Sequence, residues 1–446
     1  MNTQLQSDSA IELLSKIENK TACVGVVGMG YVGLPLAVAV FEAGYNVLGF
    51  DVDPKKIACL NNGTPYLKHL GDDFSKEISV SDQFRATCDP TDLQQADIIS
   101  LCVPTPLGKH NDPDLSFVLE STKAVARVLR KGQLVVLEST TYPGTTRDEM
   151  LPILESSGLK HGVDFFLAYS PEREDPGRKT ESTQSIPKLV GGLDTTSGKL
   201  AHAFYSKVVT DAHLVSSAEV AESAKLLENI YRAVNIALVN EMKVILEKLD
   251  VDIWEVVEAA ATKPFGFQAF YPGPGLGGHC IPIDPFYLTW KAKEVGMPTR
   301  FIELAGEVNQ KMPGIVVDRV ASSLNDDKKS LCGASVLVVG VAYKPNVDDI
   351  RETPAVFIIE DLIERGANVE YHDPHVPVFP KMRGHDVNLS SIPLDKDSVR
   401  NYDAVLIVTD HSIINWDTIA LHASLVIDTR NALANCNEIR ARLVKA

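Results

Sequence analysis

The feature of this sequence that most constrains its fold is a series of segments that recurs, in the same order, in both halves of the chain. Each segment is a short run rich in β-branched and other apolar residues, and helical patterns separate the runs. This rhythm is typical of parallel sheets covered by helices. The recurring segments are 22–27, 42–54, 95–103 and 133–140, followed by 335–340, 364–374, 401–408 and 424–430. We therefore expect two doubly wound halves.

Between these halves the sequence changes to a long helical pattern. Ser216 and Glu219 have the spacing of a capping box, and neither Gly nor Pro interrupts the run to about Leu249. A helix of that length spans roughly 50 Å. The fold class predicted from sequence is thus α/β, with two Rossmann-like doubly wound domains joined by a long central helix and a helical middle domain. The long helix either carries a dimer interface or is packed without an oligomeric role.

Charge and composition exclude several classes of protein. The 446 residues include 43 Lys plus Arg against 59 Asp plus Glu, and the net charge of -16 argues against nucleic-acid binding. The longest uncharged stretch, 24–41, is interrupted by glycines and a proline, so it predicts a strand, a turn and a helix start rather than a membrane span. Seven cysteines form no close-spaced pairs, which favours a reducing cytoplasmic location and no CxxC metal site.

The strongest local motif is GxGxxG, formed by Gly28, Gly30 and Gly33 between a strand and an apolar helix. These glycines allow a tight turn and close approach of a pyrophosphate to the helix N-terminus. Asp51 closes the next strand, where a carboxylate accepts hydrogen bonds from ribose hydroxyls and disfavours a 2′-phosphate. The motif predicts a dinucleotide site for NAD rather than NADP, with nearby Asp53 as the alternative carboxylate.

A second motif, at 272–285, combines closely spaced glycines with a cysteine and an aspartate. Pro282 is placed to start a helix, so Cys280 would lie at a helix N-terminus, where the helix dipole favours a thiolate. Asp284 lies four residues further on and is a candidate base. A buried structural cysteine is the ordinary alternative for a single thiol. We interpret Cys280 as a nucleophile and His279 as structural or ligand-contacting.

Further candidates lie on the long helix and at strand ends. Lys225 and Asn229 are spaced i, i+4, so they share one helix face, as an oxyanion site or as a solvated surface pair. The loops after three predicted strands contain VPTP (103–106), ESTTYPG (138–144) and YSPEREDPG (169–177). Ligands of doubly wound sheets bind at the carboxyl ends of strands, where these loops lie. Lys344 and Arg351, in the second half, offer cations for phosphates or for surface salt bridges.

These motifs together resemble the UDP-glucose/GDP-mannose dehydrogenase family over nearly the full length of the chain. The shared motifs, in family order, are GMGYVGLP, VPTP, EST, SPE, AESAKLLEN, GGHCIPID and YKPNVDDIRETP. The resemblance implies an NAD-dependent, four-electron oxidation of the C6 alcohol of a sugar nucleotide to a carboxylate. It also implies an NAD-binding domain at 1–212, a central helical and dimerisation domain with the catalytic cysteine at 213–325, and a UDP-sugar-binding domain at 326–446. From the long helix we expect a homodimer.

The resemblance also carries roles to individual residues. Cys280 would capture the C6 aldehyde as a thiohemiacetal, which is oxidised to a thioester and hydrolysed. Lys225 and Asn229 would stabilise the oxyanion, Asp284 would assist proton transfer, and Glu172 with Thr140 would position the hydrolytic water. The implied cofactor contacts are Gly28, Met29, Gly30, Tyr31, Val32, Gly33, Asp51, Thr105 and Thr140. The implied substrate contacts are Arg173, Lys225, Asn229, Gly277, Lys344, Arg351 and Arg430.

Two departures from the UDP-glucose branch of this family bear on the substrate. Ile283 stands where that branch has a lysine, and Arg173 follows the ProGlu dipeptide where that branch has a phenylalanine. The patterns SPEREDPG and KPFGF (263–267) resemble enzymes acting on UDP-N-acetylglucosamine in bacterial surface-polysaccharide pathways. UDP-N-acetylgalactosamine and UDP-N-acetylmannosamine are the alternatives.

Two other functions fit parts of the sequence. A two-electron dehydrogenase of the β-hydroxyacid type also joins a dinucleotide domain to a helical domain with a lysine, but it needs neither Cys280 nor residues 330–446. A nucleotide-sensing or scaffold protein would keep the fold without chemistry. Every catalytic position named above holds a competent residue, so we favour the four-electron enzyme.

Overall fold

The computed structural model of the chain describes residues 7–67, 73–108, 111–173, 184–278, 281–382 and 384–446. The chain forms two compact units. The first contains Met1–Glu228 and Phe286–Met297, and the second contains Asn229–Pro285 and Pro298–Ala446.

The first unit is built on an eight-stranded sheet with the order β3-β2-β1-β4-β5-β6-β7-β8. Its strands are β1 (Cys23–Val27), β2 (Asn46–Phe50), β3 (Phe84–Thr87), β4 (Ile98–Leu101), β5 (Gln133–Leu137), β6 (Phe165–Tyr169), β7 (Lys188–Gly192) and β8 (Ala212–Val215). Strands β1 to β6 pair in parallel in the 3-2-1-4-5-6 order of a dinucleotide-binding sheet. The contact between β6 and β7 is antiparallel.

Helices cover both faces of this sheet, so its central strands are buried along their whole length. Every residue of β4, β5 and β6 is buried, as the parallel architecture requires. The helices are α1 (Asp8–Glu18), α2 (Gly33–Glu42), α3 (Pro54–Asn61), α4 (Asp73–Val80), α5 (Ser116–Val128), α6 (Leu151–Glu155) and α7 (Thr195–Val208), with a 3₁₀ turn at Pro90–Gln95 and a π turn at Thr145–Met150.

The second unit contains a five-stranded, fully parallel sheet with the order β10-β9-β11-β12-β13. Its strands are β9 (Ser335–Val339), β10 (Asn368–His372), β11 (Ala404–Ile407), β12 (Leu425–Asp428) and β13 (Arg442–Lys445). Its helices are α9 (Ile253–Ala261), α11 (Arg300–Asp326), α12 (Pro354–Glu364), α13 (Lys396–Arg400) and α14 (Trp416–His422). The two remaining helices, α8 (Ala218–Lys248) and α10 (Asp284–Glu294), contain the boundaries between the units.

The segments that recur in the sequence form corresponding strands in the two sheets. Strands β1, β2, β4 and β5 take the order 2-1-4-5 in the first sheet, and their counterparts take the order 10-9-11-12 in the second. The turn after the first strand of each half is held in the same way, because Gly28 N donates to Phe50 O and Gly340 N donates to His372 O, each at 2.8 Å. Two Rossmann-like halves and a long helix of 31 residues confirm the predicted fold class.

Two predicted helix starts are wrong by one or two residues. Helix α8 begins at Ala218, and the hydroxyl of Ser217, not Ser216, accepts from Val220 N at 3.4 Å. Glu219 is drawn into an ion pair with Arg147 at 2.6 Å. Helix α10 begins at Asp284 rather than Pro282. Pro285 takes the first-turn position predicted for Pro282, where proline is tolerated because the N–H that it lacks would have no partner within the helix.

The candidate membrane stretch forms β1, a turn and α2. In the part of the chain that the structure describes, no helix combines the length and the hydropathy needed to cross a bilayer.

Candidate active site

The glycine turn at the carboxyl end of β1 is shaped by its three glycines in different ways. Gly28 has φ +94°, and a Cβ there would lie 2.5 Å from Cys102 O. A Cβ on Gly33 would lie 1.8 Å from Gly28 O, so this glycine lets the helix pack on the turn. At Gly30, by contrast, a Cβ would meet no described atom within 4 Å. Only Gly30 therefore opens the turn outward, towards the space that a ligand would use.

Asp51 secures this turn from the end of β2. It is buried, and its carboxylate accepts from Met29 N at 2.8 Å and from Asp53 N at 2.9 Å. Lys56 lies 2.9 Å from the same carboxylate. Asp53 instead caps α3 by accepting from Lys55 N. Asp51 thus occupies the strand-end position that the sequence predicted, and the alternative carboxylate has a different task.

The residues present at this turn fit NAD. Helix α2 begins at Gly33 without a side-chain cap, and its N-terminus carries the partial positive charge that attracts a pyrophosphate. The open position at Gly30 leaves room for the phosphates, and the carboxylate of Asp51 lies at the strand end, where a ribose hydroxyl would donate. Tyr66 OH donates to Met29 O at 2.8 Å and fixes the outer side of the turn.

Lys225 is buried, which excludes the solvated-pair interpretation of this residue. Its ammonium donates to the backbone carbonyl of Glu172 and lies 3.8 Å from the Glu172 carboxylate. Both residues belong to the first unit. The structure thus brings together two of the residues predicted from distant motifs, AESAKLLEN and SPE.

Arg173 is engaged by the protein itself. Its guanidinium donates to Glu228 on α8 at 2.6 Å and to Pro187 O at 2.7 Å. The segment Pro171–Arg173 is therefore tied both to α8 and to the residues that precede β7. The following residues of the SPEREDPG motif, 174–177, lie outside the described residues.

The loops after β4 and β5 lie against the second part of α10. Thr105 is buried, whereas Thr140 is partly exposed. Tyr287 OH donates to Pro106 O at 3.2 Å, and the rings of Tyr142 and Trp290 lie 5.0 Å apart. These contacts hold the VPTP and ESTTYPG loops through one short helical segment.

Sequence reasoning missed a buried acid that organises the second of these loops. Glu222, on α8, accepts from Gly144 N at 2.7 Å, from Thr146 N at 3.0 Å and from the Thr146 hydroxyl at 2.7 Å. Burial raises the pKa of this carboxyl, and the hydrogen bonds oppose the shift. Its place three residues before Lys225 was the available signal, since i, i+3 residues share a helix face.

A second missed group is an ion pair inside the first unit. Glu138 directly follows β5, Lys188 opens β7, and their charged atoms lie 2.5 Å apart with both side chains buried. Tyr205, on α7, donates its hydroxyl to the other oxygen of Glu138. Burial and the Glu138 charge raise the pKa values of Tyr205 and Cys102 well above their ordinary range. This pair lines a partly open pocket with Val32, Leu36, Pro171, Glu172, Arg173, Ile186 and Pro187.

In the second unit, Asn229 and Asp284 are in direct contact. The Asn229 amide donates to the Asp284 carboxylate, and Arg232 donates to the Asn229 oxygen. Asn229 and Asp284 are both almost fully buried. Asp284 is the first residue of α10, so the predicted base is held by the amide predicted to share its site.

The glycines of the 272–278 stretch pack against the protein itself. A Cβ on Gly277 would lie 2.7 Å from Tyr343 Cβ, and one on Gly278 would lie 2.8 Å from the Tyr343 ring. Gly278 N also donates to Arg351 O at 3.0 Å. The prediction that these glycines admit a ligand stays untested, because the backbone approach seen here is to Tyr343. Cys280 and His279 lie outside the described residues.

The three cations predicted for the second half differ in their surroundings. Arg351 forms a bidentate pair with Asp349, with its closest contact at 2.7 Å. Lys344 lies 5.6 Å from the centroid of the Tyr343 ring. Arg430 donates to Val408 O at 2.9 Å, and burial lowers the pKa of its guanidinium.

The counterpart of Asp51 in the second half is already engaged. Asp373, after β10, accepts from Val341 N at 2.7 Å and pairs with buried His411 at 3.0 Å. His411 in turn accepts through Nδ1 from Asn346 N at 2.9 Å, so its other nitrogen carries the proton. Burial opposes ionisation of Asp373, but the hydrogen bonds from His411 and from the amides of Val341 and His375 outweigh it and lower the pKa of Asp373 to about 2. The second turn therefore uses this carboxylate to fix the loop that carries Lys344.

Comparison with known proteins gives one family for most of the chain. Three models of the UDP-glucose/GDP-mannose dehydrogenase family match: the NAD binding domain at residues 22–209, the central domain at 219–311 and the UDP binding domain at 337–435.

Individual relatives agree with these matches. The chain is 36% identical to the UDP-N-acetyl-D-glucosamine 6-dehydrogenase of Pseudomonas aeruginosa, over 87% of this chain and 90% of that one. It is 39% identical to Protein CapL of Staphylococcus aureus, over 87% and 89% of the two chains. The structure of a UDP-D-ManNAc dehydrogenase from Pyrococcus horikoshii superposes with a TM-score of 0.85 at 32% identity, covering 95% of this chain and 99% of that one.

Proposed function

Since this chain belongs to the UDP-glucose/GDP-mannose dehydrogenase family, with NAD as its cofactor, we propose that it oxidises UDP-N-acetyl-D-glucosamine at C6 to UDP-N-acetyl-D-glucosaminuronate. The observation that carries this proposal is the convergence of the AESAKLLEN and SPE motifs, in which buried Lys225 contacts Glu172, a residue that lines the same pocket as Val32 of the glycine motif. The relative from Pseudomonas aeruginosa and the SPEREDPG and KPFGF patterns favour this sugar.

The proposed chemistry proceeds through the Cys280 thiol. NAD, when bound, accepts the electrons of both oxidations and supplies no other chemistry. Oxidation of the C6 alcohol gives an aldehyde, and the Cys280 thiolate adds to its carbonyl carbon to form a thiohemiacetal. Lys225 and Asn229 stabilise the oxyanion of this step, and Asp284 relays the proton. Covalent capture keeps the aldehyde on the protein.

The second oxidation converts the thiohemiacetal to a thioester, which one water molecule then hydrolyses. Glu172, with Thr140, positions and activates that water. The thiol is regenerated, and the balance is one alcohol, one water and two NAD⁺ consumed for one carboxylate, two NADH and three protons. The Asn229 contact that holds the Asp284 carboxylate supports the proposed proton relay, because a fixed acceptor needs no reorganisation.

Substrate binding is proposed for Arg173, Gly277, Lys344, Arg351 and Arg430, in addition to Lys225 and Asn229. Arg351 and Arg430 can contact a diphosphate bidentately, which lysines cannot. We also propose the domain boundaries 1–212, 213–325 and 326–446, and a cytoplasmic location consistent with the cysteine pattern. The product would serve surface polysaccharide synthesis.

A homodimer is the proposed assembly. Exposed apolar residues recur on α8 at Tyr231, Leu238, Met242, Ile245 and Leu249, a helical spacing that gives one continuous stripe. Contiguous exposed apolar patches are rare on monomers and mark interaction sites. A second copy of α8, which presents the same stripe, is the occupant we propose.

The first test is the number of NADH formed per sugar consumed. UDP-N-acetylglucosamine, UDP-N-acetylgalactosamine, UDP-N-acetylmannosamine and UDP-glucose are compared for the unmodified protein and for Cys280→Ala. We expect two NADH per UDP-N-acetylglucosamine, with acid formation lost in the variant. A preference for another sugar contradicts the substrate assignment. One NADH per sugar, or normal acid formation by Cys280→Ala, contradicts the covalent route.

A further inference from the structure

Burying the charges of the Glu138–Lys188 pair has a high cost in free energy, and the proposed chemistry does not use the pair directly. Its exposed fractions are 1% for Glu138 and 8% for Lys188. Taking two charges out of water costs several kcal/mol per ion, and replacing such pairs by uncharged residues is often neutral for stability or even stabilising. Stability alone therefore does not account for an ion pair at this position.

The contacts of Lys188 point to another purpose. Besides Glu138, its ammonium donates to the backbone carbonyl of Pro171 at 3.3 Å. Glu172 N, the next amide in the chain, donates to Glu138 O at 3.3 Å. Both members of the pair thus hold the Pro171–Glu172 peptide. Lys188 binds its carbonyl oxygen through the side-chain ammonium, and Glu138 binds its amide through the main-chain carbonyl.

Two other anchors hold the residues next to this peptide. Lys225 donates to Glu172 O, and Arg173 donates to Pro187 O, one residue before Lys188. Behind the pair, Tyr205 OH donates to Glu138, and its ring lies 5.0 Å from the Lys188 ammonium. Tyr205 of α7 therefore fixes the pair, and the pair in turn fixes the segment that contains Glu172.

We propose that Glu138 and Lys188 are positioning residues that hold the Pro171–Glu172 peptide, and through it the Glu172 carboxylate and the Lys225 ammonium, in the geometry needed for thioester hydrolysis. This inference rests on the proposed function of Glu172 and Lys225. Neither Glu138 nor Lys188 needs to touch the reacting atoms. A displacement of about 1 Å at a reacting group can cost about 100-fold in rate, so a distant anchor of this kind matters.

The test replaces both charges at once. Glu138→Gln with Lys188→Met keeps the side-chain volumes and leaves Gln able to accept from Tyr205. The control, Arg85→Met with Asp92→Asn, removes a more exposed ion pair of 2.6 Å from the same unit, far along the chain from the segment. Lys188→Arg retains the cation and serves as the conservative variant.

We expect the double variant to keep its thermal midpoint and its affinity for ADP-ribose, a probe of the glycine turn. We expect kcat with UDP-N-acetylglucosamine to fall about 100-fold with a smaller change in KM. The Cys280 acyl-enzyme should accumulate, as seen by intact-protein mass, and the Glu172 amide should exchange hydrogen faster. Lys188→Arg should recover part of kcat, and the control pair should behave as the unmodified protein.

Three outcomes overturn the proposal: an unchanged kcat in the double variant, a loss of kcat that parallels a lowered thermal midpoint, or unchanged exchange at the Glu172 amide. Failure of the proposed function has a different signature, namely one NADH per sugar in the unmodified protein. Hydrogen exchange at Glu172 reports on positioning without any turnover.

Discussion

Asn229 is the residue whose contacts most directly link the fold to the proposed chemistry. Its amide is buried and donates to Asp284, so Asn229→Ala leaves a buried carboxylate without this donor. We expect kcat to fall about 100-fold, in line with the loss of one oxyanion donor, and stability to fall by about 1–3 kcal/mol. Steady-state kinetics and denaturant unfolding measure the two effects.

Asn235 provides the matched control for this substitution. It lies on the same helix, and its amide donates to Tyr231 O near the surface. Asn235→Ala should leave kcat within about two-fold, because surface substitutions rarely exceed about 0.5 kcal/mol. Equal losses for the two variants would show that the effect at Asn229 is on the helix rather than on Asp284.

Lys243, buried on α8 in the second unit, gives a pH-dependent prediction. Burial lowers the pKa of its ammonium to about 8 from an ordinary 10.5, with Glu247 opposing the shift. Between these two pH values the unfolded chain holds the proton and the folded chain does not, so stability rises with pH across this window. Below pH 8 the folded protein carries the full cost of the buried charge, about 3 kcal/mol.

Removing the charge should therefore stabilise the protein most at low pH. We expect Lys243→Met to raise the thermal midpoint at about pH 7, by an amount that shrinks as the pH approaches about 10. Lys248→Met, which changes an exposed lysine of the same helix, should show no such pH-dependent gain. A lower midpoint for Lys243→Met at neutral pH would mean that the ammonium has a stabilising partner in the fold.

Local patterns predicted the residues whose role is local. GxGxxG and the strand-end Asp51 were visible because turn, helix start and carboxylate follow each other within 24 residues. The Glu138–Lys188 ion pair could not be predicted, because it joins positions 50 residues apart. It also requires the antiparallel β6–β7 contact, which no local pattern indicates. The same limit hid the Asp373–His411 pair, which spans 38 residues.

At the scale of elements, α8 organises the ESTTYPG loop through Glu222. This carboxylate accepts from two backbone amides and one hydroxyl of the turn that follows β5. Glu222→Ala leaves three buried donors without their acceptor, at about 1–3 kcal/mol for each unsatisfied group. We expect a clear loss of stability, measured by denaturant unfolding, together with faster proteolysis of the loop.

The control for Glu222 is an exposed glutamate of the same helix, Glu241→Ala. Both substitutions have the same intrinsic helix propensity change, so this comparison isolates the tertiary contacts. If the two variants unfold at the same denaturant concentration, the hydrogen bonds of Glu222 add nothing to stability.

Element types were more predictable than element starts. The strands were found because both faces of a parallel sheet are buried, which produces unbroken apolar runs. The starts of α8 and α10 depended on competition between neighbouring candidates: Ser216 with Ser217, and Pro282 with Pro285. Tertiary contacts decided the first case, since Glu219 pairs with Arg147 instead of closing a capping box.

At the scale of the whole molecule, the recurrence of one half in the other explains how a single fold serves two ligands. In the first half the turn continues as GxGxxG and stays open at Gly30. In the second half Val341 and Ala342 take the equivalent place, and Asp373 is occupied by their amides and by His411. The same backbone scaffold therefore keeps its strand-end edge, while the ligand contacts proposed for the second half are cations on the adjoining loops.

The apolar stripe of α8 leads us to expect that assembly depends on this helix. Leu238 lies mid-stripe on α8 with 55% of its surface exposed, so Leu238→Glu places a charge in the proposed interface between two copies. Burying an unpaired charge opposes association, and we expect the sedimentation coefficient to shift from that of a dimer to that of a monomer. Val80→Glu, at a position 84% exposed at the end of α4, is the control and should stay dimeric. A monomeric unmodified protein at micromolar concentration would contradict the dimer, and an unchanged Leu238→Glu dimer would place its interface away from the α8 stripe.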